Sequence, residues 1–165
     1  MGDRVSVRLE VLENQAEEAE KLLRASNGEP EVVVHDNNFP EGERHRTAEI
    51  FYENVNYGKL DNLDLLARAG IAFTQHWAGG IEFASGILYF RFDHRDMPWI
   101  LECTEDCERE VNLDLLLPYK NTPLILIRLL EKLDEERTIP PWNKQFERGL
   151  RWRTHALLLP PKEVT

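Results

Sequence analysis

The sequence predicts an α+β protein of ferredoxin-like type, a split βαβ antiparallel sheet with an appended C-terminal helical segment. Three observations support this class. The patterned segments follow the order β-α-β-β-α-β, with one further strand. The strand candidates alternate or are rich in β-branched and aromatic residues, whereas the helix candidates space apolar residues three and four positions apart. The composition, 42% hydrophobic and 30% charged over 165 residues, is that of a globular chain.

The first strand and helix carry the clearest patterns in the chain. Residues 5–11 alternate apolar and polar side chains, which predicts a strand with one face toward the core. Asn14 and Glu17 have the three-residue spacing of a capping box at a helix start. Apolar residues with helical spacing then continue to Leu23, and Gly28 predicts the helix end.

Two further strand candidates flank a long polar segment. Residues 31–35 contain three consecutive valines, and residues 47–55 are rich in β-branched and aromatic side chains. Residues 36–46 contain a proline and a glycine among polar residues, which predicts an exposed loop. The ferredoxin-like arrangement requires the two strands to pair across this loop.

A second helix and two more strands complete the predicted sheet. Residues 60–67 form an amphipathic helix that ends at Gly70. Residues 71–77 alternate as a strand does. Residues 87–92 form another strand, apolar on both faces up to Arg91, which predicts a central or covered position.

The C-terminal part predicts an edge strand over residues 97–101 and a helix that begins at Thr122 and Pro123. These two residue types suit the N-cap and N1 positions of a helix. The apolar stripe of this helix has no other partner large enough to cover it, so we expect it to pack on the N-terminal sheet. The stripe consists of Leu124, Ile127, Leu130 and Leu133.

These elements suggest a single folding unit with two parts. Residues 1–98 are the predicted ferredoxin-like core. Residues 99–165 are the predicted acidic linker and C-terminal helices, packed on that core. A chain of 165 residues is long enough to bury a core of this kind without crosslinks.

Charge is distributed unevenly along the chain. Residues 49–117 contain 13 acids and 5 bases, whereas residues 118–165 contain 6 acids and 9 bases. The formal net charge of −10 argues against non-specific DNA binding by most of the surface. We expect the basic tail to hold the last helix on the acidic body, with base stacking as the alternative. The tail carries Lys144, Arg148, Arg151 and Arg153 among Trp142, Phe146 and Trp152.

The densest charge run is acidic. In a helix, Glu102, Asp106 and Glu110 would share one face, and like charges four residues apart cost a few tenths of a kcal/mol each. A solvated acidic face is the structural interpretation. The functional one is a surface that imitates a phosphate backbone and occupies a basic nucleic-acid channel. The candidate partner-binding residues are Glu102, Glu105, Asp106, Glu108, Glu110 and Asp114.

An aromatic hairpin over residues 77–89 is the alternative candidate site. It would form the wall of a pocket for a small molecule or substrate. A histidine in this strand would act as a general base only with a partner within hydrogen-bond reach. The sequence contains no phosphate-loop, nucleophile-elbow or zinc-protease motif, so no catalytic residue or cofactor is predicted. The candidate pocket residues are His76, Trp77, Phe83 and Tyr89.

Cys103 and Cys107 are spaced C-x3-C, and His94 lies upstream. A structural zinc site needs four ligands, and the sequence offers no second cysteine pair. The neighbouring carboxylates raise the pKa of a thiol, which argues against a nucleophile. We therefore expect two reduced thiols and no metal.

Two function classes follow from these observations. The first is an acidic binding or inhibitor protein, and in size and charge the chain resembles phage anti-CRISPR and antirestriction proteins. That resemblance implies a protein partner with a basic surface, such as a nucleic-acid enzyme, blocked by carboxylates acting as a DNA mimic. The second class is an enzyme or small-molecule binder using the aromatic hairpin. With no secretory signal and no membrane-spanning apolar run, a cytoplasmic location is expected.

Overall fold

The computed structural model describes residues 3–35, 46–104 and 116–158. Short 3-10 turns cover Glu13–Gln15 and Leu117–Tyr119. The strands and helices are, in chain order, β1 (Arg4–Leu12), α1 (Ala16–Asn27), β2 (Val32–His35), β3 (Thr47–Asn56), α2 (Leu63–Arg68), β4 (Phe73–Trp77), β5 (Gly86–Phe92), β6 (Pro98–Thr104), α3 (Pro123–Arg137) and α4 (Gln145–Leu158).

The six strands form one sheet in the order β2-β3-β1-β4-β5-β6, and every neighbouring pair is antiparallel. This confirms the α+β class. β2 pairs with β3 as the sequence pattern required, with Val33 opposite Ile50. β6 extends the sheet beyond β5 and runs three residues further than the predicted edge strand.

One face of the sheet carries the hydrophobic core. The alternate residues Val7, Leu9 and Val11 of β1 are buried, as their period of two requires. α1 covers them and buries Ala19 and Leu23 against the same core. On the neighbouring strands the rings of Phe73 and Phe90 stack 5.2 Å apart, so the core continues across β4 and β5.

The ends of α1 differ in how well the sequence predicts them. Asn14 does not cap the helix, because it lies inside the 3-10 turn and Gln15 occupies the N-cap position without a side-chain bond. That turn is fixed by the Glu13 N–H, which donates to the Arg46 carbonyl at 2.8 Å. At the other end Gly28 ends the helix as predicted, with φ +79° and ψ −171°, a positive-φ conformation that glycine adopts at little steric cost.

α4 is held on the core by polar contacts with buried backbone. The side chain of Gln145 is fully buried, accepts a hydrogen bond from the Phe92 N–H at 2.7 Å and donates to the Phe92 carbonyl at 3.1 Å. Trp152 Nε1 donates to the Ala67 carbonyl at 3.1 Å. Arg151 forms a bidentate pair with Asp96 at 2.6 and 2.8 Å. The expected role of the basic, aromatic tail in holding the last helix on the body of the protein is confirmed for Arg151 and Trp152.

α3 is not buried as the sequence suggested. Its predicted stripe is 75% exposed at Leu124, 50% at Ile127 and 42% at Leu130. Leu133, the fourth residue of the stripe, is half-buried, as are Leu126 and Leu129, which do not belong to it. The expectation that the stripe packs on the sheet is therefore wrong for its first three residues, and the end of β5 is contacted by α4. The division at residues 98 and 99 and the single folding unit stay predictions.

Candidate functional site

Of the six acidic candidates, only Glu102 lies within the described residues. It is exposed on β6, opposite Leu88 of β5. The acidic-surface hypothesis therefore stays a prediction. The candidates outside the described residues are Glu105, Asp106, Glu108, Glu110 and Asp114.

The aromatic hairpin does not gather its four candidates on one wall. His76 and Trp77 are successive residues of β4 and project to opposite faces of the sheet. Tyr89 lies opposite Thr74 and so shares the face of His76. Phe83 lies in the hairpin loop, with its ring edge-to-face against that of Tyr57 at 6.0 Å.

Trp77 acts as packing rather than as a pocket wall. Its indole Nε1 donates to the Ala84 carbonyl at 3.0 Å, which closes the hairpin loop. Gly58 and Gly86 both approach it so closely that a Cβ atom would lie 2.7 Å and 2.2 Å from the Trp77 side chain. A residue enclosed in this way fixes the hairpin against the turn after β3.

The cysteines differ from expectation. Cys103 is disulfide-bonded, so it carries no free thiol. Cys107, the one other cysteine in the sequence, lies outside the described residues. Within the described ranges, no three histidine, cysteine or acidic side chains come together as metal ligands. The expectation of a reduced thiol at Cys103 is therefore wrong.

A buried arginine is a feature that the sequence analysis missed. Arg91 on β5 is 2% exposed, donates to Thr74 Oγ1 at 2.6 Å and to the Phe73 carbonyl, and lies 3.6 Å from the Trp142 ring centroid. Burial lowers the pKa of Arg91 to about 10, and the nearby charge of Glu10 opposes that shift. In the sequence, the signal for this buried residue is an arginine within an otherwise apolar strand.

A polar cavity of about 330 Å³ lies at the end of β3, between the last residues of α1 and the turn that precedes α2. We call it the β3-end cavity. Its polar lining includes Asn27, Glu53, Asn54, Asn56, Lys59 and Asp61. No sequence motif marked these residues, because they come from three separate elements.

A β-bulge places residues in this cavity. Val5 lies opposite Val55 and Val7 opposite Tyr52, so the one residue between them on β1 faces both Glu53 and Asn54 on β3. Asn54 has φ +58°, in the left-handed region that asparagine tolerates better than most residues. Bulges commonly re-aim side chains next to functional sites.

The turn that follows β3 is fixed from two sides. Asn27 Oδ1 accepts a hydrogen bond from the Asp61 N–H at 2.8 Å, and Asn27 Nδ2 donates to the Asp61 carbonyl at 3.0 Å. From the core side, the buried Gln75 donates from Nε2 to the Gly58 carbonyl at 2.6 Å. The cavity wall is therefore held in one conformation before any ligand arrives.

Two carboxyl groups meet beside the cavity. Partial desolvation raises the pKa of Glu31, and the negative charge and hydrogen bond of Glu53 raise it further. The pair therefore carries mutual repulsion near neutral pH.

The exposed face of α3 is the second notable surface. Leu124, Ile127 and Leu130 follow at three-residue intervals and so are neighbours on the helix surface. We call these three residues the apolar patch. Leu117, on the turn that contacts α3, is also 55% exposed. Contiguous exposed apolar side chains mark interaction surfaces more often than isolated ones do.

Comparison of the chain with family models, curated proteins and solved structures gives no match. Among the described helices, none has the length and apolar character needed to cross a bilayer.

Proposed function

We propose that the protein is an acidic binding protein that docks on a protein partner with a basic surface. The observation that carries this proposal is the exposure of the apolar patch on a helix whose first two turns contain almost no polar side chain. Arg128 is the one charged residue among residues 123–130. Helices that are apolar all round are normally buried, so this one is suited to a partner's groove.

Charge favours a basic partner over a second copy of the chain. Each copy carries a formal net charge of −10, so two copies repel one another before they make contact. Asp114 precedes Leu117 by three residues, and three residues of chain span at most about 11 Å. In the sequence, the acidic stretch therefore ends three residues before the turn that contacts α3. Carboxylates next to an apolar anchor would steer a cationic surface toward it.

An anti-CRISPR or antirestriction role is the specific form of this proposal. In that form the carboxylates act as a DNA mimic and block a basic nucleic-acid-binding surface, as the sequence suggested. A cytoplasmic location stays a prediction. The disulfide at Cys103 counts against it, because such bonds persist mainly in oxidising compartments.

We also infer that residues 4–77 form a ferredoxin-like unit, extended by β5 and β6. The order β2-β3-β1-β4 supports this inference, because β3 lies between β1 and β2 as a split βαβ unit requires. The contacts between α1 and α2 support it as well.

Affinity capture with paired variants tests the proposed function. Leu124→Glu combined with Ile127→Glu places two carboxylates in the apolar patch, and Thr154→Glu on exposed α4 surface is the charged control. The proposal predicts capture of a protein with a basic surface, identified by mass spectrometry and released by salt. The double variant should capture at least tenfold less of this partner, and the control variant should capture as much as the native protein. Equal capture by all three proteins would contradict the proposal.

A further inference from the structure

We propose that the β3-end cavity binds a small, neutral, polyhydroxylated ligand of the sugar or polyol class. This site is separate from the apolar patch and does not depend on the protein partner. Its volume of about 330 Å³ falls in the range of small-ligand sites. At about 30 Å³ per molecule, the same space would hold about ten waters, which is room for a monosaccharide.

The lining chemistry selects the ligand class. Asn54 and Asn56 each offer carboxamide donors and acceptors, Glu53 and Asp61 offer acceptors, and Lys59 offers donors. A hydroxyl group donates and accepts at once, so a ligand with several hydroxyls matches this mixed set.

Charge argues against the ionic alternatives. Glu53 and Asp61 outnumber Lys59 by one charge and Glu31 adds a carboxyl group beside the cavity, so the carboxylates would repel a phosphate group. A divalent cation prefers several oxygen ligands without a competing ammonium. No cluster of three acidic, histidine or cysteine ligands occurs in the described ranges 3–35, 46–104 and 116–158. A neutral ligand is therefore the class that the lining accommodates.

Tyr57 supplies an aromatic platform at the cavity. Tyr57 is 44% exposed, and its ring packs edge-to-face with that of Phe83. Its backbone has φ +52°, a conformation that costs a bulky residue about 1 kcal/mol or more. Glycine or asparagine would adopt this backbone conformation with less strain. Strain of this kind persists where the side chain is needed, and an aromatic residue in the lining would suit stacking on the apolar face of a sugar.

The cavity is also organised in advance. The Asn27 pair with the Asp61 backbone and the Gln75 bond to Gly58 fix the turn. A ligand therefore gains its hydrogen bonds without ordering a loop, which is the main cost of binding to flexible sites.

Titration monitored by 1H–15N NMR tests this inference. The probes are glucose, galactose, mannose, xylose and myo-inositol, each to about 50 mM, with inorganic phosphate and spermidine as charged comparisons. At least one neutral probe should give saturable shifts confined to the amides of residues 26–27 and 53–61. Saturable binding by only the charged probes, or no saturable shift with any neutral probe, would overturn the proposal.

Two variants separate a binding role from a structural one. Tyr57→Asn suits the left-handed backbone and should leave the melting temperature equal or higher, while sugar affinity falls at least tenfold. Asn56→Ala should weaken the same titration without unfolding the chain. Ile127→Glu in the apolar patch should leave sugar binding unchanged, which distinguishes this site from the proposed partner surface. Unchanged affinity in both cavity variants would assign the shifts to another site and refute the inference.

Discussion

Gly149 of α4 lies directly against the backbone of Gly70. A Cβ atom at residue 149 would lie 1.9 Å from the Gly70 carbonyl oxygen and 3.3 Å from Phe92 Cε2. Gly70 cannot yield easily, because its φ of +73° is set by the end of α2. The change Gly149→Ala therefore forces α4 away from the core.

The magnitude follows from two opposing effects. In an exposed helix interior, glycine to alanine stabilises by about 1 kcal/mol. Here the methyl group must move outward by more than about 1 Å to reach an ordinary contact distance. That shift breaks the buried bonds between Gln145 and Phe92, and each unmade buried bond costs about 1–3 kcal/mol. We expect a net loss of about 2–4 kcal/mol, which lowers the melting temperature by about 5–15 °C in a domain of this size.

Urea and thermal unfolding monitored by circular dichroism measure the effect. Leu150→Ala is the matched control, because the next residue of the same helix is 47% exposed. It should change stability by less than about 1 kcal/mol. If Gly149→Ala proves as stable as the native protein or more so, helix propensity dominates, and the close docking of α4 on α2 is refuted.

Three further predictions concern single side chains. Glu31→Gln should raise the melting temperature at pH 7, because it removes repulsion from Glu53. Since the pKa of Glu31 is raised, that gain should fade as acidification protonates the native carboxyl, and a pH series of melting curves checks it. Leu130→Asp should stay folded with a melting temperature within a few degrees of native, as its exposure requires; global unfolding would show that α3 is buried. Arg91→Ala should cost about 2–4 kcal/mol in urea titrations, because it leaves buried acceptors unpaired, whereas exposed Arg68→Ala should cost less than about 0.5 kcal/mol.

The elements that local pattern determines were predictable from the sequence. The alternation in residues 5–11 specified β1, and β-branched and aromatic content specified β2 and β3. The pairing of β2 with β3 followed from the predicted strand order. These predictions succeeded because one face of each strand must be buried, and burial leaves a period of two in the sequence.

The failures have tertiary causes. The capping box predicted at Asn14 does not form, because Asn14 lies in a 3-10 turn that the distant Arg46 carbonyl holds in place. Helical apolar spacing predicts a core face for the stripe on α3, but spacing alone does not say whether a partner within the chain exists. The β3-end cavity was missed because a bulge and left-handed residues bring α1, β3 and a turn together, and none of these carries a sequence motif.

The proposed docking of a basic protein partner on the apolar patch can be measured directly. The most direct measurement replaces Leu124 with a photo-crosslinking amino acid in cells of the source organism, with position 154 on α4 as the control. Irradiation followed by mass spectrometry identifies what contacts each position. We expect a crosslink from position 124, and not from position 154, to one protein with a basic surface. Crosslinks only to a second copy of the chain, or no crosslink from position 124, would contradict it.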